Sequence, residues 1–315
     1  MAEALPNPDL PNKKFKGEVE STLPVPERDW AELHPDALMV IFRKVGMHEV
    51  LLRTSKVCGA WRKAARDDPL FWPRIDMGMD YDHCPIFSEF NRIQATVSYD
   101  QALANMTKAA VNWGGNRVEH LRIRHCCDYD LLQYIAQRAR NLKSLSIIQC
   151  HMFCERMAKA LGTLKQLEEL EIAWFAPSAM FMMEFIGMEC PELKCLKLKF
   201  PVPKHGEEWL CVRLGIPKKM IQLEYLQLTS ICILNEELMK ILERCPNLET
   251  LDLCGCKSYD FRGSDIEVKH DDIRARCSRI DKVLLPDDIS YSDSYYWDTY
   301  DDVYADFYGY SDDDI

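Results

Sequence analysis

Cysteine and histidine offer this chain its widest chemical scope, and they gather in two places. His125 with Cys127, and Cys150 with His151 and Cys154, would be brought together if 125–127 and 150–154 occupied equivalent places in neighbouring repeats. Thiolate and imidazole donors suit zinc. The paired C-x-x-C spacing that makes such a site firm is missing, so no metal is expected. A nucleophilic cysteine would need a depressed pKa, exposure and a neighbouring base, and no constellation of that kind is present. Glu168 and Glu169 are adjacent carboxylates, but on a strand successive side chains point to opposite faces, so they cannot share a proton or a substrate. No G-x-x-x-x-G-K-[ST], G-x-G-x-x-G, H-E-x-x-H or G-x-S-x-G string occurs. The residues therefore point away from an enzyme and call for no cofactor.

The elements around these residues explain them better. Of 315 residues, 47% are hydrophobic and 28% charged, enough for one large core or two smaller ones. No apolar run is long enough to span a bilayer, and MAEALPNPDLPNKKFKGEVE lacks the apolar stretch of a signal peptide. The expectation is an intracellular protein of the nucleus and/or cytoplasm, without a membrane partner. Its 14 cysteines then read as reduced thiols. Net charge is −11, and the ten aspartates after Val283, with no Lys or Arg beside them, account for all but one unit of it. A nearly neutral body argues against nucleic acid as a partner.

Residues 1–27 carry five prolines and few large apolar groups, and read as a disordered leader. The next stretch is helical. Pro35 suits a first helical position; Leu38, Ile41, Phe42 and Val45 recur at helical spacing before Gly46 supplies a stop. Residues 48–54 give a short second helix, and Val57, Trp61, Ala64 and Ala65 stripe a third that ends ahead of Pro69. In order, Leu33, Pro35, Leu38, Ile41, Phe42, Leu51, Leu52, Val57, Cys58, Trp61, Arg62, Asp68, Pro69, Leu70 and Trp72 resemble the signature of the F-box, with His34 inserted between its leucine and proline. A core this small leans on a partner. Trp61 and Trp72 are expected to serve both that core and the partner face, with Cys58 as a compact buried filler.

Downstream the pattern L-x-x-L-x-L recurs as VEHLRI at 118, LKSLSI at 142, LEELEI at 167, LKCLKL at 193, LEYLQL at 223 and LETLDL at 248, with a degenerate IDKVLL at 280. Spacings of this size with this motif indicate leucine-rich repeats, each a strand with a returning helix. The last two apolar residues of each motif should face the core, and helical stripes such as Leu131, Leu132, Ile135, Ala136 and Ala139 should cover them. Cys126, Cys150 and Cys256 each fall at the Asn/Cys place of the motif, while Cys190, Cys245 and Cys277 close the preceding helices. The long step at 200–220 reads as an outward loop with an irregular helix, and 287–315 as an acidic, aromatic disordered tail or an interaction tail for a basic partner.

These readings divide the chain into 1–27, an F-box at 28–76, a repeat domain at 77–286 and the tail at 287–315. The expected fold class is α/β: three helices, then a short solenoid with parallel strands inside and helices outside. Between the leucines, Arg122, Arg124, Glu169, Glu171, Lys197, Lys199, Tyr225, Gln227 and Asp252 face away from the core as candidates for holding a target, with Glu171 and Lys197 placed to pair as a surface ladder. F-box and leucine-rich-repeat proteins, whose short plant-type, SKIP-like members this chain resembles most, are substrate receptors of SCF (Skp1–cullin–F-box) ubiquitin ligases. The resemblance implies that Leu33, Pro35, Leu38, Ile41, Phe42, Leu51, Leu52, Val57, Cys58, Trp61, Leu70 and Trp72 bind a Skp1-type adaptor and through it cullin, and that the repeats hold a protein target. A repeat scaffold working outside such a ligase is the alternative.

Overall fold

The computed structural model describes residues 29–78, 99–149, 154–173, 182–200, 220–254, 256–259 and 270–285. The leader, the long step but for its ends Phe200 and Met220, Cys150, His151 and the acidic tail lie outside them.

The chain begins with three helices, α1 (Pro35–Val45), α2 (Met47–Leu52) and α3 (Gly59–Asp67). His34 caps α1: its Nδ1 accepts the N–H of Asp36 at 3.3 Å, satisfying one orphan donor of the first turn. The residue that interrupts the Leu-Pro pair is therefore the helix cap. Gly46 stops α1 at φ 85°, a conformation that costs a side-chain-bearing residue. Leu38, Phe42, Val50 and Ala65 form a core of four buried residues, edged by Leu33, Ile41 and Trp61.

A single eight-stranded parallel sheet follows, in the order β1 (Arg74–Met77), β2 (His120–Arg124), β3 (Ser144–Ile148), β4 (Glu169–Ala173), β5 (Cys195–Lys199), β6 (Tyr225–Thr229), β8 (Thr250–Asp252) and β10 (Lys282–Leu284). Strands β7 (Cys232–Leu234) and β9 (Lys257–Tyr259) pair separately. Register is uniform: Leu121 faces Leu145, then Leu170, Leu196, Leu226 and Leu251, each buried. Helices α4 (Tyr99–Gly114), α5 (Tyr129–Arg138), α6 (Glu155–Leu161), α7 (Met182–Glu189), α8 (Asn235–Arg244) and α9 (His270–Arg276) occur between strands. The inward stripe Leu131, Leu132, Ile135, Ala136 and Ala139 is buried as the periodicity predicts. Three strand exits carry a left-handed residue, His125 (φ 64°), Gln149 (φ 53°) and Ser230 (φ 62°). His125 thus holds a repeated backbone turn.

Two elements were not legible in the sequence. β1 lies ahead of the first leucine motif, and α4 packs beside it as the first layer of the array. Gly114, the last residue of α4, allows that fit: a Cβ there would lie 2.5 Å from Val118 Cγ2 and 3.3 Å from Trp72 Cβ. Trp72 is fully buried in the large core of the array rather than in the small helical core, which corrects its expected place on a partner face. It meets Trp113 edge-on at 5.6 Å, and its indole N–H donates to the carbonyls of Ala65 and Arg66 at the end of α3. Arg117 reaches the same end, donating to the carbonyls of Arg66 and Asp68. Phe71 and Trp113 border both cores.

Leu251→Ala, at a side chain with no exposure, should lower stability by ~2–5 kcal/mol in urea unfolding. A smaller loss would mean that neighbouring strands close the cavity.

Candidate functional site

Two surfaces carry the residues that the sequence singled out. On the helical module, α1 is locked to the end of α3 by a buried carboxylate. Asp68 is 1% exposed, accepts from Arg43 Nη2 at 3.0 and 3.1 Å through its two oxygens, and takes the N–H of Leu70 at 2.9 Å. This charge-assisted fork presents Leu70 to solvent. Trp61 stacks edge-on against Phe42 at 5.7 Å and donates its indole N–H to the Trp30 carbonyl at 2.7 Å. Arg62 donates to the Ser55 carbonyl at 3.0 Å, holding the turn before α3.

The twelve residues named for adaptor binding separate into three sets. Leu38, Phe42 and Trp72 are closed inside cores at 1%, 1% and 0% exposure, so they shape the module from beneath. Leu33, Ile41, Leu51, Leu52, Cys58 and Trp61 are half-buried; Cys58, expected as a buried filler, is the residue ahead of α3. Pro35, Val57 and Leu70 are exposed, the last two at 55% and 71%. Trp30, Val40 and Val45 are also exposed: Trp30 and Val40 lie off the inward stripe, whereas Val45, which the spacing put on that stripe, is the last residue of α1 and is 42% exposed. Five of the eight exposed large hydrophobics among the described residues therefore belong to this short module: Trp30, Val40, Val45, Val57 and Leu70. Such a concentration marks an interaction surface.

The second surface is the open face of the sheet, away from the buried leucines. One row runs Asp76, Arg122, Ser146, Glu171, Lys197, Gln227 and Asp252 across consecutive strands. Glu171 binds Lys199 at 2.6 Å and accepts from Ser146 at 2.7 Å. The expected Glu171–Lys197 pair is thus replaced by a diagonal one, and Lys197 instead lies 5.6 Å over the Tyr225 ring. Burial pushes the Glu171 carboxyl up, but hydrogen bonds and charge from Lys199, with help from Ser146 and Lys197, outweigh it and leave the pKa below its ordinary value. Asp252 is not open as expected: it is 6% exposed and accepts from Gln227, Tyr225 and the Cys254 N–H. Burial, then the Asp252 charge, pushes the Tyr225 hydroxyl up to about 12. Arg122 and Glu169 are exposed, Arg124 and Gln227 half-buried; burial lowers the Arg124 pKa against the pull of Asp76.

Between α2 and β1 a cleft of about 340 Å³ is lined by Met47, His48, Arg74, Asp76 and Gly78. His48 Nε2 is buried there without a hydrogen-bond partner, and burial lowers its pKa despite Asp76 and Glu49. No spacing in the sequence pointed to it.

The thiols sit as a buried ladder. Cys126, Cys190, Cys245, Cys256 and Cys277 are buried, and burial raises Cys190 and Cys256 to about 12 and Cys245 to about 11. Cys256 Sγ donates to the Leu228 carbonyl at 3.0 Å. Among the described residues no group of three or more His, Cys, Asp or Glu side chains is placed to share a metal. Glu168 pairs with Lys194 at 3.1 Å while Glu169 is exposed on the open face. Among the described residues no helix is long and apolar enough to cross a membrane.

Comparison with known proteins bears on both surfaces. Residues 30–73 match the F-box domain family. Over 270 residues the chain is 32% identical to putative F-box/LRR-repeat protein 23 of Arabidopsis thaliana, covering 83% of this chain and 54% of that protein. With F-box protein SKIP19 of the same plant it shares 30% over 257 residues, 81% of this chain and 76% of the relative. Putative F-box/LRR-repeat protein 22 is 30% identical over 262 residues, with 83% and 78% covered. The chain belongs to the F-box/leucine-rich-repeat proteins. It spans about half the length of the first of these relatives. In this family setting the F-box is the module of exposed apolar side chains, and the repeats are the sheet that turns polar residues outward.

The depressed pKa of Glu171 has a defined sign. Its stabilisation is fully present above the ordinary glutamate value of 4.5 and is lost as pH falls through the lower folded value. Urea midpoints measured between about pH 6 and 3 should therefore fall less steeply on the acid side for Glu171→Gln than for the parent. Parallel curves would show that the Lys199 pair contributes nothing to folding.

Proposed function

We propose that this protein is the substrate-recognition subunit of an SCF ubiquitin ligase. The F-box binds a Skp1-type adaptor and through it cullin, and the open face of the repeats holds a protein target. The observation that carries the reading is the cluster of exposed apolar side chains on the F-box, set on a core of only four buried residues. Burial of such side chains against a partner contributes ~25 cal/mol per Å² of apolar area. Val57 and Leu70 are the contacts to test, with Pro35 and the half-buried Leu33, Ile41, Leu51, Leu52, Cys58 and Trp61 beside them; Leu38, Phe42 and Trp72 hold the module's shape.

No bond chemistry is asked of this chain. Its contribution is proximity: a target held on a rigid sheet has a high effective concentration beside a ubiquitin-charged carrier. Exposed Arg122 and Glu169 with half-buried Arg124, Glu171, Lys197, Lys199, Tyr225 and Gln227 supply the polar contacts that distinguish one target surface from another, with Asp252 fixing Tyr225 and Gln227 from below. Nucleus and cytoplasm are the compartments where such a ligase would work.

A pull-down with purified Skp1-type adaptor tests the reading. Val57→Asp with Leu70→Asp, both at exposed positions, should leave the thermal melt unchanged and reduce recovery by at least about ten-fold, or roughly 1.4 kcal/mol. Equal recovery of variant and parent, or no recovery of either, would favour a scaffold that works outside the ligase.

A further inference from the structure

The open face has an imbalance that its two-residue period conceals. Its carboxylates are largely committed: Glu171 to Lys199 and Ser146, Asp252 to Tyr225 and Gln227, and Asp76 to the N–H of Gly78 at 2.7 Å. Its cations are less so. Arg74 and Arg122 are exposed and form no ion pair among the described residues, and Lys197 lies over the Tyr225 ring and lends its charge to Glu171 without bonding to it. Lys282 is exposed at the far edge, on the row that runs through Thr250 and Tyr225 to Arg74. Among the described residues exposed Glu169 is the one carboxylate of this face that forms no ion pair or hydrogen bond, against those four cations.

Segment 286–315 of the same chain has the complementary chemistry. It holds ten aspartates, no Lys or Arg, and nine aromatic residues that include Trp297 and Tyr300. Its start is set by Leu285, which is buried just beyond β10. From β10 to β5 is three strand-to-strand steps and to β2 six, roughly 14 and 29 Å at about 4.8 Å each. Thirty extended residues reach at most ~100 Å, so length does not limit the contact. Aspartates can pair with Arg74, Arg122 and Lys197, and aromatic rings can lie over guanidinium planes. Attachment to the chain places the segment at an effective concentration in the millimolar range.

We propose that segment 286–315 docks in cis on the open face at Arg74, Arg122 and Lys197, occupying the surface a target would use. A target would then have to displace it, so recognition would be self-limited by an internal competitor of acidic and aromatic character. The inference stands on the charges of the open face and does not depend on adaptor docking, because its test is read on this chain alone.

The test is zero-length carbodiimide cross-linking of the full chain, in an equal mixture of ¹⁴N- and ¹⁵N-labelled protein, with the linked peptides identified by mass spectrometry. The expected result is an amide between Lys197 and one of the aspartates from Asp298 to Asp306, formed within one isotopic species and lost in about 0.5 M salt, where the Debye length shrinks to a few Å. Arg74→Glu with Arg122→Glu, which leaves Lys197 intact, should abolish the same link while the thermal melt is kept. Links spread evenly to Lys143, Lys159 and Lys240, links of mixed isotopic composition, absence of any link to Lys197, or indifference to the charge reversals would each overturn the proposal.

Discussion

No rung of this array can bury its own apolar side, and that constraint governs the molecule. Leu121, Leu145, Leu170, Leu196, Leu226 and Leu251 lie in one continuous row because each strand needs its neighbour's leucine to close the core. Register follows from that need: a one-residue slip would turn every inward leucine to water. The same period forces the alternate residues outward, so a surface of Arg, Glu, Lys, Tyr and Gln is a by-product of stacking. The buried thiols belong to the same logic, as compact apolar fillers at the motif ends whose raised pKa values keep them protonated.

The array also needs ends. At the first strand the solution is a joint. Trp72 buries its ring among Trp113, Phe71 and the core of the array, yet its N–H caps the last carbonyls of α3 in the F-box. Arg117 adds two more bonds to the same helix end. At the other end Arg279 donates to the carbonyls of Leu242, Cys245 and Pro246, closing α8 from the following repeat. In each case a guanidinium satisfies helix-terminal acceptors that would otherwise be desolvated without partners.

Repeats and helices were legible because they are periodic, and the inward leucines fell where the spacing put them. What was not legible has physical reasons. Strand β1 is four residues without the leucine motif, and only pairing with β2 makes it a strand. Trp72 lies within the F-box match, as its place in the signature implied, but its ring packs into the core of the array. On the open face, period two set Glu171, Lys197 and Asp252 in one row away from the leucines, but exposure and partner choice depend on side-chain reach: Lys199 wins Glu171 on the diagonal, and Asp252 is buried against Tyr225 and Gln227. The exposed Val40 was invisible for the opposite reason, since a search for inward stripes discards apolar residues that point out, while Val45 fits the stripe's spacing and is exposed because α1 ends there. His48 and its cleft arise from contact between α2 and β1, elements far apart in the patterns that identify each of them.

The joint at Trp72 has a mechanical meaning. Seven strand spacings separate β1 from β10, an arm of roughly 34 Å, so a twist of about 10° at the first strand would swing the last one by roughly 6 Å. An indole and a guanidinium clamped on one helix end resist that twist through directional bonds within a packed interior. Whatever rides on the far strands is therefore aimed by a few atoms near residue 72, in the way a short bearing sets the bearing error of a long boom.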